Sequence, residues 1–204
     1  SALLNNVVIE VASFDGHDIG WLHTVREIPG FLAIGVIIVI RYMHEQVLAL
    51  LSLALLGVAT AVTAWFPTLG GIMIITLLSS IGFHYYETVN QSLQLQWFTR
   101  EEAPRKLGLL LSVGSAATLA SYGLIVLLWE PLSLTYNAVY LAAGGFTALV
   151  AVFAFFAYPR FEAPNPQLKS FVLRRRYWLY YLLQFMAGAR RQIFVVFAGF
   201  MMVE

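Results

Sequence analysis

Cysteine is absent from the chain. That excludes disulfides, thiolate metal sites and cysteine nucleophiles. Charge is scarce too: Asp, Glu, Lys and Arg make up 11% of the residues, against about 25% in a soluble domain. The only lysines, Lys106 and Lys169, fall in loops, so a retinal-type Schiff base inside a helix bundle is excluded. The histidines His17, His23, His44 and His84 are scattered without metal-ligand spacing, and neither a metal nor another cofactor is expected. No glycine-rich phosphate loop precedes a helix, which argues against a nucleotide-driven pump domain. No basic block interleaves with aromatics on a polar background, so no nucleic-acid partner is expected. An enzyme is not expected either, because no nucleophile–base set is visible.

What is abundant is apolar surface. Hydrophobic residues account for 60% of the chain and the mean hydropathy is +0.77. The apolar runs are about 20 residues long, the length of a membrane-crossing helix; a barrel would show ~10-residue alternating segments. The fold class is therefore an all-α polytopic membrane helix bundle, with lipid as its surroundings. Spans are expected at about Ala2–Ser13, Ile19–Ile40, Gln46–Phe66, Leu69–Phe98, Leu107–Trp129, Leu134–Tyr158 and Tyr177–Val203. Ala2–Ala12 has no basic n-region and no cleavage site, so a signal peptide is not expected. The chain starts apolar and stops just after the apolar run Ile193–Val203, and it reads as a piece of a longer polytopic protein.

Alternate loops carry Arg41, then Arg100, Arg105 and Lys106, then Arg160, Lys169 and Arg174–Arg176, while the loops at 14–18, 66–68 and 129–133 carry no Lys or Arg. The positive-inside rule then places the basic loops in the cytoplasm. Trp65, Trp97, Trp129 and Trp178 fall near span ends, where an aromatic belt would place them. The expected location is a bacterial inner (plasma) membrane. Arg26, Arg190 and Arg191 lie within spans, where a charge costs about 2.5–3.5 kcal/mol on insertion scales, so each needs a reason.

Six spans, a long basic connector and a seventh span restarting the pattern resemble the major facilitator superfamily. The resemblance covers the whole chain. The stretch TREEAPRKLG is similar to that family's polar connection into a small-residue helix, and Gly108, Ser112, Ala116 and Ala120 form such a stripe, which allows close helix contact. In VIIVIRYMHEQ, Arg41 takes the arginine position of the family's loop signature, with Ile40 at its aspartate and Met43 at its glycine. The fifth span lacks the Gly-Pro pair common in antiporters. The resemblance implies residues 1–158 as a six-helix N-terminal half with a truncated first helix, 159–176 as a cytoplasmic connector, and 177–204 as the first helix of a C-terminal half that the chain lacks. It also implies that the first, fourth and seventh helices line a central path.

The strongest candidate site is a polar stripe on the fourth span. His84, Glu87, Gln91 and Gln94 recur at helical spacing with Asn90 beside them, and Ser80 extends the stripe by one turn. One reading is a cavity wall, with Glu87 as a titratable coupling or substrate group. The other is interhelical glue, since Gln and Asn bond across membrane helices. Glu87 and Arg190 both lie ~20 Å from the basic end at 1.5 Å per residue, so Glu87 is expected to meet Arg190 or Arg191, directly or through substrate. Adjacent helical residues point about 100° apart, so both arginines cannot serve one partner equally. A fixed salt bridge holding two halves closed is the plainer alternative. Asn6 and Glu10 on the first span are further path candidates. His23, Arg26 and Glu27 form a third group of structural ion-pair candidates: His23 reaches either neighbour at i+3 or i+4, and Glu10 on an antiparallel helix can reach Arg26.

The expected function is secondary active transport of a small solute, with an anion favoured by the arginines and protons as a coupling ion. The alternative is a non-transporting membrane protein on the same fold, acting as an assembly factor or partner subunit. In the full-length protein, Arg190→Ala is expected to weaken binding of an anionic substrate at least tenfold while sparing a neutral one. Equal loss for both, in a competition binding assay, would mark a structural ion pair.

Overall fold

The computed structural model describes residues 2–161 and 174–188. Helix α1 (Ala2–Glu10) is followed by α2 (Gly16–Leu32), a 3-10 turn at Ala33–Gly35 and the short α3 (Val36–Val39). Then come α4 (Glu45–Val62), extended by a 3-10 turn at Thr63–Trp65, and α5 (Leu69–Trp97). Helices α6 (Ala103–Trp129) and α7 (Tyr136–Ala157) complete the named elements. Among the described residues, five segments are long and apolar enough to cross a membrane: Gly16–Val39, Glu45–Trp65, Leu69–Trp97, Ala103–Trp129 and Tyr136–Ala157. They make this a multi-pass helical membrane protein.

Helix starts follow local chemistry. The Asp15 carboxylate accepts from Asp18 N at 2.8 Å, and Asp15 N donates back to Asp18 Oδ2 at 3.4 Å, a capping box for α2. Thr68 caps α5 by accepting from Gly71 N at 3.2 Å, and Thr135 caps α7 by accepting from Ala138 N at 3.2 Å. Pro104 sits in the first turn of α6, where its missing N–H costs nothing. Pro29 lies inside α2, and the helix tightens into the 3-10 turn within one turn after it. The first helix is shorter than expected. It ends at Glu10 rather than Ser13, because the chain reverses through Ser13 at φ 55. Of the expected seventh span, Tyr177 ends the 3-10 turn Arg175–Tyr177, 178–188 is helical, and 189–203 lies outside the described residues, as does 162–173 of the connector.

Helix α4 is the post of the bundle, with α5 on one side and α7 on the other. The contacts are backbone to backbone. A Cβ added at Gly57 would lie 2.5 Å from Ala148 N, one added at Gly144 would collide with Ala61 N, and one added at Gly82 would lie 2.7 Å from both Ser52 O and Leu56 N. Gly57–Ala61 on α4 and Gly144–Ala148 on α7 are each a small residue, three others, then a small residue, which lets membrane helices approach closely. The small stripe expected to do this, Gly108 to Ala120 on α6, is exposed, and Gly108, Gly114 and Gly123 have nothing within 4 Å of an added Cβ among the described residues. Helix α6 buries none of its residues and presents Leu111, Leu119 and Val126 outward.

Two apolar clusters brace the ends. Val36, Ile40, Leu48, Ala49, Val89 and Leu93 join α3, α4 and α5 near the basic loops. Val8, Phe14, Ile19, Leu22 and Ile72 join α1, α2 and α5 at the opposite end. Next to the first cluster, the buried Glu45 carboxylate accepts from Gln96 Nε2 at 2.5 Å and from Ser92 Oγ at 3.3 Å. Gln46 donates to Pro159 O at 3.0 Å and accepts from Phe161 N at 3.1 Å, which ties the end of α7 to the start of α4. Beyond the membrane-spanning segments, Glu102 is held below its usual carboxylate range by its hydrogen bond and ion pair with Lys106, 3.2 Å away.

Gly57→Val or Gly144→Val is expected to cost about 1–3 kcal/mol or more by forcing the α4–α7 backbones apart. Gly114→Ala on α6 should leave stability unchanged or slightly raised. Thermal unfolding of the detergent-purified variants compares them; equal midpoints for the α4, α7 and α6 substitutions would refute backbone contact as the basis of the packing.

Candidate functional site

Helix α5 has two dissimilar sides. Gly82, Val89, Leu93 and Gln96 are buried, with Gly82 seated on α4, Val89 and Leu93 packed in the basic-end cluster, and Gln96 bonded to Glu45. His84, Glu87, Gln91 and Gln94 project from the other side, at 100° per residue. His84 and Ser80 close the upper part of that side against α2. The His84 ring packs on Gly30, 3.3 Å from where a Cβ would stand, and meets the Phe83 ring edge-on at 5.3 Å between centroids. The Ser80 hydroxyl donates to the Arg26 carbonyl.

Towards the basic end the stripe opens. Glu87, Asn90 and Gln94 are half-buried and Gln91 is exposed. Among the described residues, none of these four side chains, nor that of His84, makes a hydrogen bond or ion pair. Tyr85, one residue along, turns instead towards Gly35, where its hydroxyl would stand 3.1 Å from an added Cβ. Arg190 and Arg191, the expected partners of Glu87, lie outside the described residues.

The first helix meets a different neighbour from the one expected. Glu10 does not reach Arg26. Its carboxylate accepts from the Tyr136 hydroxyl at 2.7 Å, and the Asn6 side chain engages the same hydroxyl. The bond joins the end of α1 to the start of α7. Nor do His23, Arg26 and Glu27 pair with one another: the ion pair present among the described residues is Lys106–Glu102. His23 is buried, and its Nε2 and the Asn5 Oδ1 have no hydrogen-bond partner among the described residues.

Arg26 lines a cavity instead. The cavity has a volume of about 200 Å³ and lies between α1, α2, α4, α5 and α7, in the half of the bundle away from the basic loops. Leu4, Leu56 and Phe83 supply its apolar wall, and Thr60, Thr63, Thr76, Ser79, Ser80 and Tyr140 supply hydroxyls. Helical spacing puts Thr76, Ser79, Ser80 and Phe83 on one face of α5 and Thr60 and Thr63 on one face of α4 and its 3-10 extension, but only the fold brings those faces together with Arg26, Leu4 and Tyr140. Two of the hydroxyls are engaged locally, Thr63 with Ala59 O at 3.0 Å and Ser80 with Arg26 O. Elsewhere, Asp15, His17 and Asp18 bring possible metal-ligand atoms within 4.8 Å of one another. Those groups already serve as the α2 capping box and as the acceptor of the Trp21 indole N–H at 3.2 Å.

No family model, no curated protein and no solved structure matches this chain.

The cysteine-free sequence makes the character of the α5 face directly measurable. Single substitutions Glu87→Cys, Gln91→Cys and Gln94→Cys in the full-length protein, with any cysteine outside residues 1–204 replaced by serine, are expected to react with a membrane-impermeant maleimide added from the basic-loop side. Val89→Cys and Leu93→Cys should be protected. Uniform protection would mean that the stripe faces lipid or is sealed by other helices, and the wetted-face assignment would fail.

Proposed function

We propose that this bundle belongs to a secondary active transporter that moves a small solute across a membrane by alternating access. The observation that supports it is the α5 stripe. Five polar side chains share a side of one membrane helix, and among the described residues none is bonded to a neighbour. Interhelical glue would need partners for them. A water-filled path supplies partners of its own, and a carboxylate within a membrane span belongs by default to a substrate or proton route. On this reading Glu87 is the coupling carboxylate. Coupling of this kind requires a carboxylate that meets a cation in one conformation and parts from it in the other. Arg190 or Arg191 is the proposed cation, and the basic loops are proposed to face the cytoplasm of a bacterial inner membrane.

The break after Pro29 fits the same reading, because interrupted helices near a site are a recurrent feature of alternating-access bundles. A membrane-embedded partner subunit is the second reading. It is favoured by α6, which leaves a whole helix bare among the described residues.

Full-length protein in liposomes loaded with a pH-sensitive dye separates the two. Acetate, lactate, succinate and inorganic phosphate are the first solutes to offer. Solute-dependent proton movement that Glu87→Gln reduces by about tenfold or more is the expected result, in line with the removal of an essential proton carrier. Unchanged uptake with unchanged pH dependence in Glu87→Gln would overturn the coupling role. No flux for any solute, together with a membrane protein that co-purifies in fixed ratio, would replace transport with the partner-subunit reading.

A further inference from the structure

We propose that the cavity around Arg26 is an anion-binding subsite that takes a small oxyanion, a carboxylate or phosphate group, presented either by a free solute or by a lipid headgroup. It adjoins the α5 stripe, with which it shares Ser80, but does not include Glu87. The proposal does not rest on transport, because it is tested by equilibrium binding.

The argument begins with the unanswered charge. Arg26 lies in the middle of the Gly16–Val39 membrane segment, and its side chain makes no ion pair or hydrogen bond with another described residue. The carboxylates close to it in sequence and fold are otherwise placed. Glu10 is bonded to Tyr136, and Glu27 is the adjacent residue, turned about 100° round the helix. A guanidinium offers five N–H donors in a planar fork whose natural complement is a carboxylate or phosphate.

The walls complete the case. Thr60, Thr76, Ser79 and Tyr140 line the same cavity, and their hydroxyls make no hydrogen bond with another described residue. Serine and threonine hydroxyls within helices commonly turn back to the carbonyl four residues earlier, as Thr24, Thr63, Thr88, Ser112, Thr118, Ser121 and Thr147 do here. Of the six cavity hydroxyls, Thr63 and Ser80 are engaged, and the other four are left as donors around one cation. The volume of about 200 Å³ far exceeds the roughly 10–15 Å³ that one water needs, and it accommodates a small anion with part of its hydration. Leu4, Leu56 and Phe83 provide a dry side against which a short alkyl group can rest. Proton-donor hydroxyls, a fork-shaped cation and an apolar flank together select an amphipathic oxyanion over a metal ion or a neutral sugar.

The test is binding of radiolabelled acetate and inorganic phosphate to the full-length protein in nanodiscs of phosphatidylcholine alone, repeated with phosphatidylglycerol included. Saturable binding in neutral lipid that Arg26→Gln weakens about tenfold or more, as expected for loss of a charge-assisted bond, supports a free-solute site. No binding of the free anions in neutral lipid, together with stoichiometric retention of phosphatidylglycerol by the wild type but not by Arg26→Gln, supports a headgroup site. Arg26→Lys should restore binding only in part, because it keeps the charge and loses the fork. Tyr140→Phe and Thr76→Val should each weaken binding severalfold, and they read the site even where Arg26→Gln does not fold. Ser112→Ala on α6 should change nothing. Absence of both free-anion and lipid binding overturns the proposal, as does affinity that Tyr140→Phe, Thr76→Val and the Arg26 variants all leave at the wild-type value.

Discussion

Close approach of three helix backbones governs this molecule. Where α4 meets α7 at Gly57 and Gly144, and α5 at Gly82, side chains are absent and main chains touch. In a membrane the hydrophobic effect does little to hold helices together, since lipid tails are as apolar as leucine. Dispersion between closely spaced atoms must take its place, and it grows only when the surfaces meet without gaps. Three glycines at two crossings make that possible. The rest of the arrangement hangs on it. With α5 seated on α4 through Gly82, its polar side is turned away from the post, towards α2 at one end and towards open space at the other.

The same seating accounts for where polar groups are tolerated. Glu45 is buried at the first turn of α4, where the helix dipole favours an anion, and Gln96 and Ser92 of the touching helix complete its hydrogen bonds. Glu10, at the far end, is satisfied by a phenol. Arg26 alone among these groups stands on a cavity wall rather than against a partner from the described chain. Carboxylates at helix ends and a cation partway along a helix are therefore handled differently: the ends are tied, and the middle is left open.

Much of the bundle was legible in residue order. Apolar runs located the five spans to within a few residues, because span length is dictated by bilayer thickness. The caps at Asp15 and Thr68 are local in sequence, although residue order there signals only loops between spans. Choice of partner was less legible. The four-residue spacing on α6 and the spacings in Gly57–Ala61 and Gly144–Ala148 are the same pattern, and period alone does not tell which small face finds another helix. The Arg26 cavity was illegible for a related reason. Its serine and threonine hydroxyls share a face on each of the consecutive helices α4 and α5, but residue order does not tell that those faces converge with Tyr140 of α7 and Arg26 of α2. The α5 stripe was visible because all its members lie on one helix. Opposite charge points Glu10 to Arg26, whereas Tyr136, its partner at the start of α7, carries no charge for the sequence to signal.

Gln46 has a consequence for how the bundle responds to what lies beyond it. Its side-chain amide grips the backbone on both sides of Arg160, through Pro159 and Phe161, and the Trp97 ring rests edge-on against Phe161. The chain thus leaves α7 from a clamp rather than from a loose end. Tension applied to the following segment is delivered at the foot of α4, which is in main-chain contact with both α5 and α7. A pull on the connector acts on the post itself, and the helices on either side must follow it.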